Sequence, residues 1–473
     1  MPILQHKPSA PPSGKGHEVD MTQGNVVHHL IAFALPLLAG NIFQQLYNTV
    51  DTWVVGNYVS NEAFSAVGTV SPIINTLIGF FTGLASGAGV VISQYYGAKQ
   101  PDKVRDAVHT SIVMTLVLGV VLSLFGIAIT PTMLHFMNTP SEVFPDSSSY
   151  LTIYFGGMMG LMLYNMGSGI LRAVGDSKRP FYFLVVSAVL NIILDLVFVL
   201  VFHMGVEGVA YATIISQGMS AALVLFTLSQ EKNWIRLQLR YLKVQLTILG
   251  KIIRVGIPAA LQLAVTAFSN VFVQSYINFF GADYMSGWTA YTKIDQLMVL
   301  PMQSLALAAT TFVGQNLGIN QVDRAKKGTR TACIMAITIT IAVSSIVIPT
   351  APYLVSFFNQ KPAVIQSGTL FLRFLSPFYV LCCINQVYSA ALRGAGNSRT
   401  PMILMLFSFV LFRQCYLFVM ANFISNSVLP IAMGYPAGWL VCSTLTLLYY
   451  RKVNLSSSRL VDDQFPTPAQ SDS

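Results

Sequence analysis

The sequence predicts an all-α polytopic membrane protein: twelve transmembrane helices in two parallel six-helix bundles, related by a pseudo-two-fold axis along the membrane normal. Three observations predict it. Of 473 residues, 54% are hydrophobic and only 10% charged, with a mean hydropathy of +0.61, against roughly 25% charged residues in soluble domains. The apolar residues gather in runs long enough to cross a hydrocarbon core of about 30 Å as helices rising about 1.5 Å per residue. The chain also repeats itself at a constant offset.

The runs lie at 29–55, 66–95, 108–132, 149–172, 180–203, 206–229, 251–280, 284–316, 329–350, 364–392, 400–424 and 428–450. None shows the ten-residue alternation of an outer-membrane barrel strand. The stretch before the first run, MPILQHKPSAPPSGKGHEVD, is polar and Pro-rich without the apolar core of a signal peptide, so the first helix is expected to direct its own insertion.

The basic residues orient the spans. Of 27 Lys and Arg, Lys293, Arg373 and Arg413 lie well inside spans and Lys361 lies in an odd-numbered loop; the rest fall in the two tails, in the even-numbered loops or at the span ends that border those loops. This positive-inside bias places both termini in the cytoplasm and explains the net charge of +9 without a nucleic-acid partner. The five cysteines, Cys333, Cys382, Cys383, Cys415 and Cys442, fall within spans without metal-ligand spacing and read as packing residues.

Residues 92–105, ISQYYGAKQPDKVR, align without gaps to 313–326, VGQNLGINQVDRAK; residues 171–180, LRAVGDSKRP, align to 392–401, LRGAGNSRTP, at the same offset of 221. ALPLL at 34–38 matches GIPAA at 256–260 with a shift of one residue. Three blocks in one order indicate duplication of a six-span unit, and an even number of spans makes the two copies parallel. The expected organisation is a tail at 1–28, a bundle at 29–230, a linker at 231–250, a bundle at 251–450 and a tail at 451–473. In the linker, EKNWIRLQLRYLKVQ (231–245) has apolar residues at near-helical spacing and reads as a surface helix. Gly79, Gly83 and Gly87, and Gly156 and Gly160, recur every four residues and predict close helix packing. The matched glycines Gly175 and Gly396 read as turns at helix ends.

Three acids lie well inside spans: Asp51, Asp195 and Asp295. A carboxylate at that depth is costly and points to a polar cavity. Asn191 and Asp195 share a helix face and can address one cation or one proton. At the repeat offset Asn191 becomes Phe412 and Asp195 becomes Tyr416, while Asp51 becomes Val273 one residue further on; a purely structural acid would be expected in both copies. In the second half, Lys293, Asp295 and Arg413 form a candidate substrate or structural charge cluster, with Arg413 expected in a salt bridge. Met158, Met159, Met162 and Met166 in span 4, and Tyr379 and Tyr388 in span 10, offer surfaces suited either to packing or to promiscuous binding.

With these residues the chain resembles the multidrug and toxic compound extrusion (MATE) transporters over essentially residues 25–450. The likeness rests on NTVDTWVVG in span 1, the ends of spans 2 and 8, and the paired LRAVGDSKRP and LRGAGNSRTP loops. It is greatest to the bacterial DinF-like and MepA-like branches, whose cation or proton site corresponds to Asp51, Asn191, Asp195 and Thr213. The acid that another branch carries in helix 7 is missing from span 7. The resemblance implies efflux of small amphipathic, often cationic compounds by H+ or Na+ antiport, from the plasma membrane of a bacterium. It also implies no cofactor, no metal beyond a possible Na+, the lipid bilayer as environment and a functional monomer. The alternative is a flippase for lipid-linked oligosaccharides or lipids within the same broader superfamily. An intramembrane enzyme is disfavoured, because HEVD at 17–20 lacks the second His of a zinc motif.

Overall fold

The computed structural model describes residues 19–137 and 139–461, and among them there is no strand. Twelve long helices follow one another: α1 Val26–Tyr58, α2 Asn61–Gly97, α3 Pro101–Phe136, α4 Phe144–Ala173, α5 Lys178–Val201, α6 Gly205–Gln230, α7 Leu246–Asn278, α8 Ala282–Gly318, α9 Val322–Phe358, α10 Pro362–Gly394, α11 Arg399–Ile424 and α12 Val428–Lys452. Eleven of these are long and apolar enough to cross a membrane, and α4 has 30 residues. The protein is an all-α polytopic membrane protein. The tails at 1–18 and 462–473 lie outside the described residues.

Local chemistry sets the helix ends. Asn25 and Ser60 cap α1 and α2 through their side-chain oxygens, and Pro101 begins α3 where no amide donor is needed. Asp176 Oδ1 accepts from the Lys178 and Arg179 amides, each at 3.1 Å, and the carboxylate pairs with Arg179, which in turn pairs with Glu231. At the matched position Asn397 Oδ1 accepts from Thr400 N at 3.1 Å. Asp176→Ala is therefore expected to lower stability by about 1–2 kcal/mol, and Asp176→Asn, which keeps the cap, by less. Thermal unfolding in detergent checks this; an alanine variant as stable as wild type would contradict it.

Helix α1 packs on α5, α5 on α6, and α4 on α2, α3 and α6; α8 packs on α9 and α10, and α10 on α12. Helix α2 crosses to α7 and α8. Small residues allow that crossing: a Cβ on Gly83 or Gly87 would lie 2.4 Å from the Cα of Ala260 or Gly256. Gly156, by contrast, faces open space, while a Cβ on Gly160 would lie 3.0 Å from Gly218 N, as expected of a packing glycine.

At the end of the molecule that carries both terminal segments, the repeat makes paired contacts. Gln315 on α8 accepts from Met21 N and donates to Ala173 O, both at 2.9 Å. Its counterpart Gln94 on α2 accepts from Leu460 N at 2.7 Å and donates to Gly394 O at 2.9 Å. Each glutamine thus ties a terminal segment to the end of a helix from the other half of the chain. Gly175 and Gly396, at φ +90° and +96°, would each place a Cβ 2.4 Å from a backbone oxygen of the adjoining segment, Val19 O and Ser458 O respectively. Their turn role holds, and it leaves room for those segments.

The segment 231–245 is not the expected surface helix. It holds only a 3₁₀ turn at Leu239–Tyr241. Ile235 is fully buried, and Trp234, Leu237 and Leu242 pack against the same apolar cluster. The backbone is taken up by α3: Gln238 N bonds His109 Nε2 and Gln245 N bonds Thr110 Oγ1, each at 3.1 Å. With two of its amides satisfied by side chains on α3 and Leu237 N by Leu228 O at the end of α6, the segment holds its course without a continuous helical ladder.

Candidate functional site

Helix α5 loses its regular pitch just after Asp195, in a π turn at Val197–Val201. Such turns insert a residue and redirect the side chains around them. Asp195 is fully buried and Asn191, one turn earlier, is 2% exposed. The Asp195 carboxyl group meets that of Asp51 from α1 within direct interaction range. Tyr150, on α4, stands beside both acids and near Thr213 on α6. Thr213 Oγ1 also donates to Val209 O at 2.9 Å.

What distinguishes this cluster is unmet polarity. Both oxygens of Asp195, Oδ1 of Asp51, and both Oδ1 and Nδ2 of Asn191 are buried without a hydrogen-bond partner among the described residues. Buried polar groups are nearly always paired, and two carboxylates in contact cannot both stay charged without a cation between them. A donor set of carboxylate, amide and hydroxyl oxygens suits a proton or a hard ion such as Na+. Sequence reasoning named Asp51, Asn191, Asp195 and Thr213, and the structure brings the two acids together, with Tyr150 beside both acids and near Thr213. It missed Tyr150 itself and Tyr154, stacked one turn apart at 6.5 Å between ring centroids; their i,i+4 spacing was the available signal.

A cavity of about 320 Å³ lies beside the cluster, lined by α1, α2, α4, α5, α6, α7, α8 and α10. Gln44, Tyr47 and Gln217 line it; Tyr47 neighbours Asp51 and Tyr154, and Gln217 stands beside Tyr154. Hydroxyl and amide groups therefore run from the acids to the cavity wall. The methionine stripe does not: Met158, Met162 and Met166 are core residues, and Met159 sits against Gly119. Tyr379 and Tyr388 also lie away from the cavity wall, Tyr388 packing edge-on against Tyr450.

The second-half charges are not one cluster. Arg413 on α11 forms no ion pair among the described residues. It donates to Ser269 Oγ at 3.1 Å and Asn270 Oδ1 at 3.2 Å on α7, between the rings of Phe409 and Tyr435 at 4.5 and 4.7 Å. Neutral oxygens and two aromatic faces take the place of the expected salt bridge. Asp295 instead accepts from Tyr379, which also bonds Tyr291 at 3.1 Å, while Lys293 is exposed. Asp295→Asn, which keeps an acceptor for Tyr379, is expected to cost no more than about 1 kcal/mol in thermal unfolding. A loss of about 3–5 kcal/mol would mean that Arg413 had been left uncompensated.

The MatE family model matches two stretches of the chain, residues 36–197 and 258–416. The chain belongs to the MatE family. The probable multidrug resistance protein YoeA of Bacillus subtilis is 29% identical over 428 residues, spanning 89% of this chain and 92% of that protein. The probable multidrug resistance protein NorM of Thermotoga maritima is 26% identical over 431 residues, 89% and 91% of the two chains. A MOP superfamily transporter from Pyrococcus furiosus superposes with a TM-score of 0.87 at 24% identity, over 93% of this chain and 97% of that one. An outward-facing MATE family transporter gives the same TM-score, identity and coverage. These solved structures establish the likeness of fold. In this MatE chain, one matched stretch contains Asp51, Asn191 and Asp195, and the other contains Asp295 and Arg413.

Proposed function

We propose that this MatE protein is a secondary multidrug exporter that moves small amphipathic compounds, cationic ones among them, outward in exchange for H+ or Na+. The observation that carries the reading is the group of unpartnered polar atoms on Asp51, Asn191 and Asp195, held on helices that also line the cavity. An inward-moving ion binds between α1 and α5, screens the acid pair and lets the two helices pack differently. Because α1 and α5 wall the cavity, that change alters its affinity for cargo. Each ion entering down a 100 mV potential supplies about 2.3 kcal/mol. The protein works as a transporter rather than an enzyme. It sits in the plasma membrane of a bacterium with both termini in the cytoplasm, as one chain whose halves, 29–230 and 251–450, rock about the cavity.

The test is efflux of a fluorescent lipophilic cation from vesicles under an imposed H+ gradient or an imposed Na+ gradient. One gradient is expected to drive transport against the dye gradient; transport indifferent to both would overturn the antiport.

A further inference from the structure

The charges lining the cavity are basic. Its lining includes no carboxylate, and its charged residues are Arg172 and Arg393, in the last turns of α4 and α10. The sequence places both at the edges of spans, where an arginine reads as a marker of topology. In the structure both are partly buried and occupy the end of the cavity beside the Gln94 and Gln315 contacts. They are one residue type at one repeat position, offset by 221, although the acids Asp51 and Asp195 are not kept in the second copy.

Neither arginine has a carboxylate partner among the described residues. Arg393 makes one long hydrogen bond, 3.4 Å to Gln262 Oε1, and its Nε is buried without a partner. The helix C-termini beside them supply only about half an elementary charge each, which leaves net positive charge in a cavity of about 320 Å³. Tyr164, Asn165, Thr310 and Gln386 in the same wall add neutral hydrogen-bonding groups. Two guanidinium forks and neutral donors around an apolar space suit a carboxylate, sulfonate or phosphate on an apolar body.

We propose that Arg172 and Arg393, one from each half of the chain, form a subsite for the acidic group of an amphipathic cargo. The inference rests on the efflux reading, which makes this cavity the cargo path, and it extends the cargo from cations to zwitterions and organic acids.

The experiment compares two dyes on one xanthene core, cationic rhodamine 6G and anionic sulforhodamine B, by fluorescence anisotropy and vesicle efflux with the full-length protein. Arg172→Gln and Arg393→Gln are each expected to weaken sulforhodamine B binding about tenfold, leaving rhodamine 6G within about threefold. If a Gln variant also loses rhodamine 6G, Arg172→Lys and Arg393→Lys decide: weakened sulforhodamine B beside intact rhodamine 6G supports the subsite, and unchanged affinity overturns it. Tail-labelled phosphatidic acid forms a third arm. Arginine-dependent binding of that lipid but not of sulforhodamine B assigns the acidic group to a lipid head. Wild type that binds rhodamine 6G but neither acid overturns the subsite and leaves efflux standing. Wild type that binds and moves no probe overturns both.

Discussion

Asp195→Asn is expected to abolish ion-driven efflux while leaving cargo binding intact. The substitution keeps the shape of the side chain and removes its charge. In the structure Asp195 is fully buried against Asp51, and neither of its oxygens has a donor among the described residues. An amide there leaves Asp51 as the lone acid, so an entering ion no longer resolves a clash between two carboxylates and no longer biases the packing of α1 on α5. Uphill transport should fall by at least about tenfold, a loss of about 1.4 kcal/mol or more in coupling, with cargo affinity changed by less than about threefold. Asp51→Asn should do the same, and the double variant no more, because groups that act as a unit are not additive. Efflux and equilibrium binding measured on the same preparations check it. Additive losses, or a variant that still concentrates cargo, would place the coupling elsewhere.

The second large effect is expected at Gly97 and Gly318, where α2 and α8 meet. A Cβ on Gly97 would lie 2.0 Å from Gln315 O, and one on Gly318 2.3 Å from Gln94 O. Backbone stands on the far side in both cases, so no side chain can swing away. Overpacking of this kind costs about 1–3 kcal/mol or more, and about 1.4 kcal/mol already shifts a two-state equilibrium tenfold. Gly97→Val should hold α2 off α8 and keep this end of the molecule open. Ser93, fully buried one turn before Gly97, reports on that opening. In a Ser93→Cys background, Gly97→Val should speed labelling by an impermeant maleimide about tenfold or more and suppress efflux. Gly79→Val, which meets only Leu263 at 3.5 Å, is the control. Unchanged labelling beside normal efflux would show that the contact is not part of the transport cycle.

The helices and the acid pair were legible in the sequence for the same reason. Long apolar runs predict spans, and against them a single carboxylate such as Asp195 stands out as an energetic anomaly that needs a purpose. Tyr150 and Tyr154 carry no such contrast, because a tyrosine is at home on either face of a membrane helix and only packing shows which face meets the acids. Arg172 and Arg393 were hidden by their position: at the edge of a span a charge fits topology, and only the inward folding of α4 and α10 makes them cavity residues. Arg413 and Asp295 invited pairing because opposite charges near in type were known and their separation was not. In the linker, apolar spacing suggested a surface helix, whereas its apolar residues pack into the protein and its backbone bonds to His109 and Thr110, more than a hundred residues away in sequence. The paired roles of Gln94 and Gln315 were present in the repeat alignment, though not their targets in the terminal segments.

The most direct test of the coupling site is the release of its ion. Purified protein is equilibrated with 22Na+, or with a pH indicator at low buffer strength, and cargo is added. Release of about one ion per chain is expected on cargo binding, absent in the Asp51→Asn, Asp195→Asn double variant. Cargo binding without release, or equal release from the double variant, would contradict the assignment of coupling to Asp51 and Asp195.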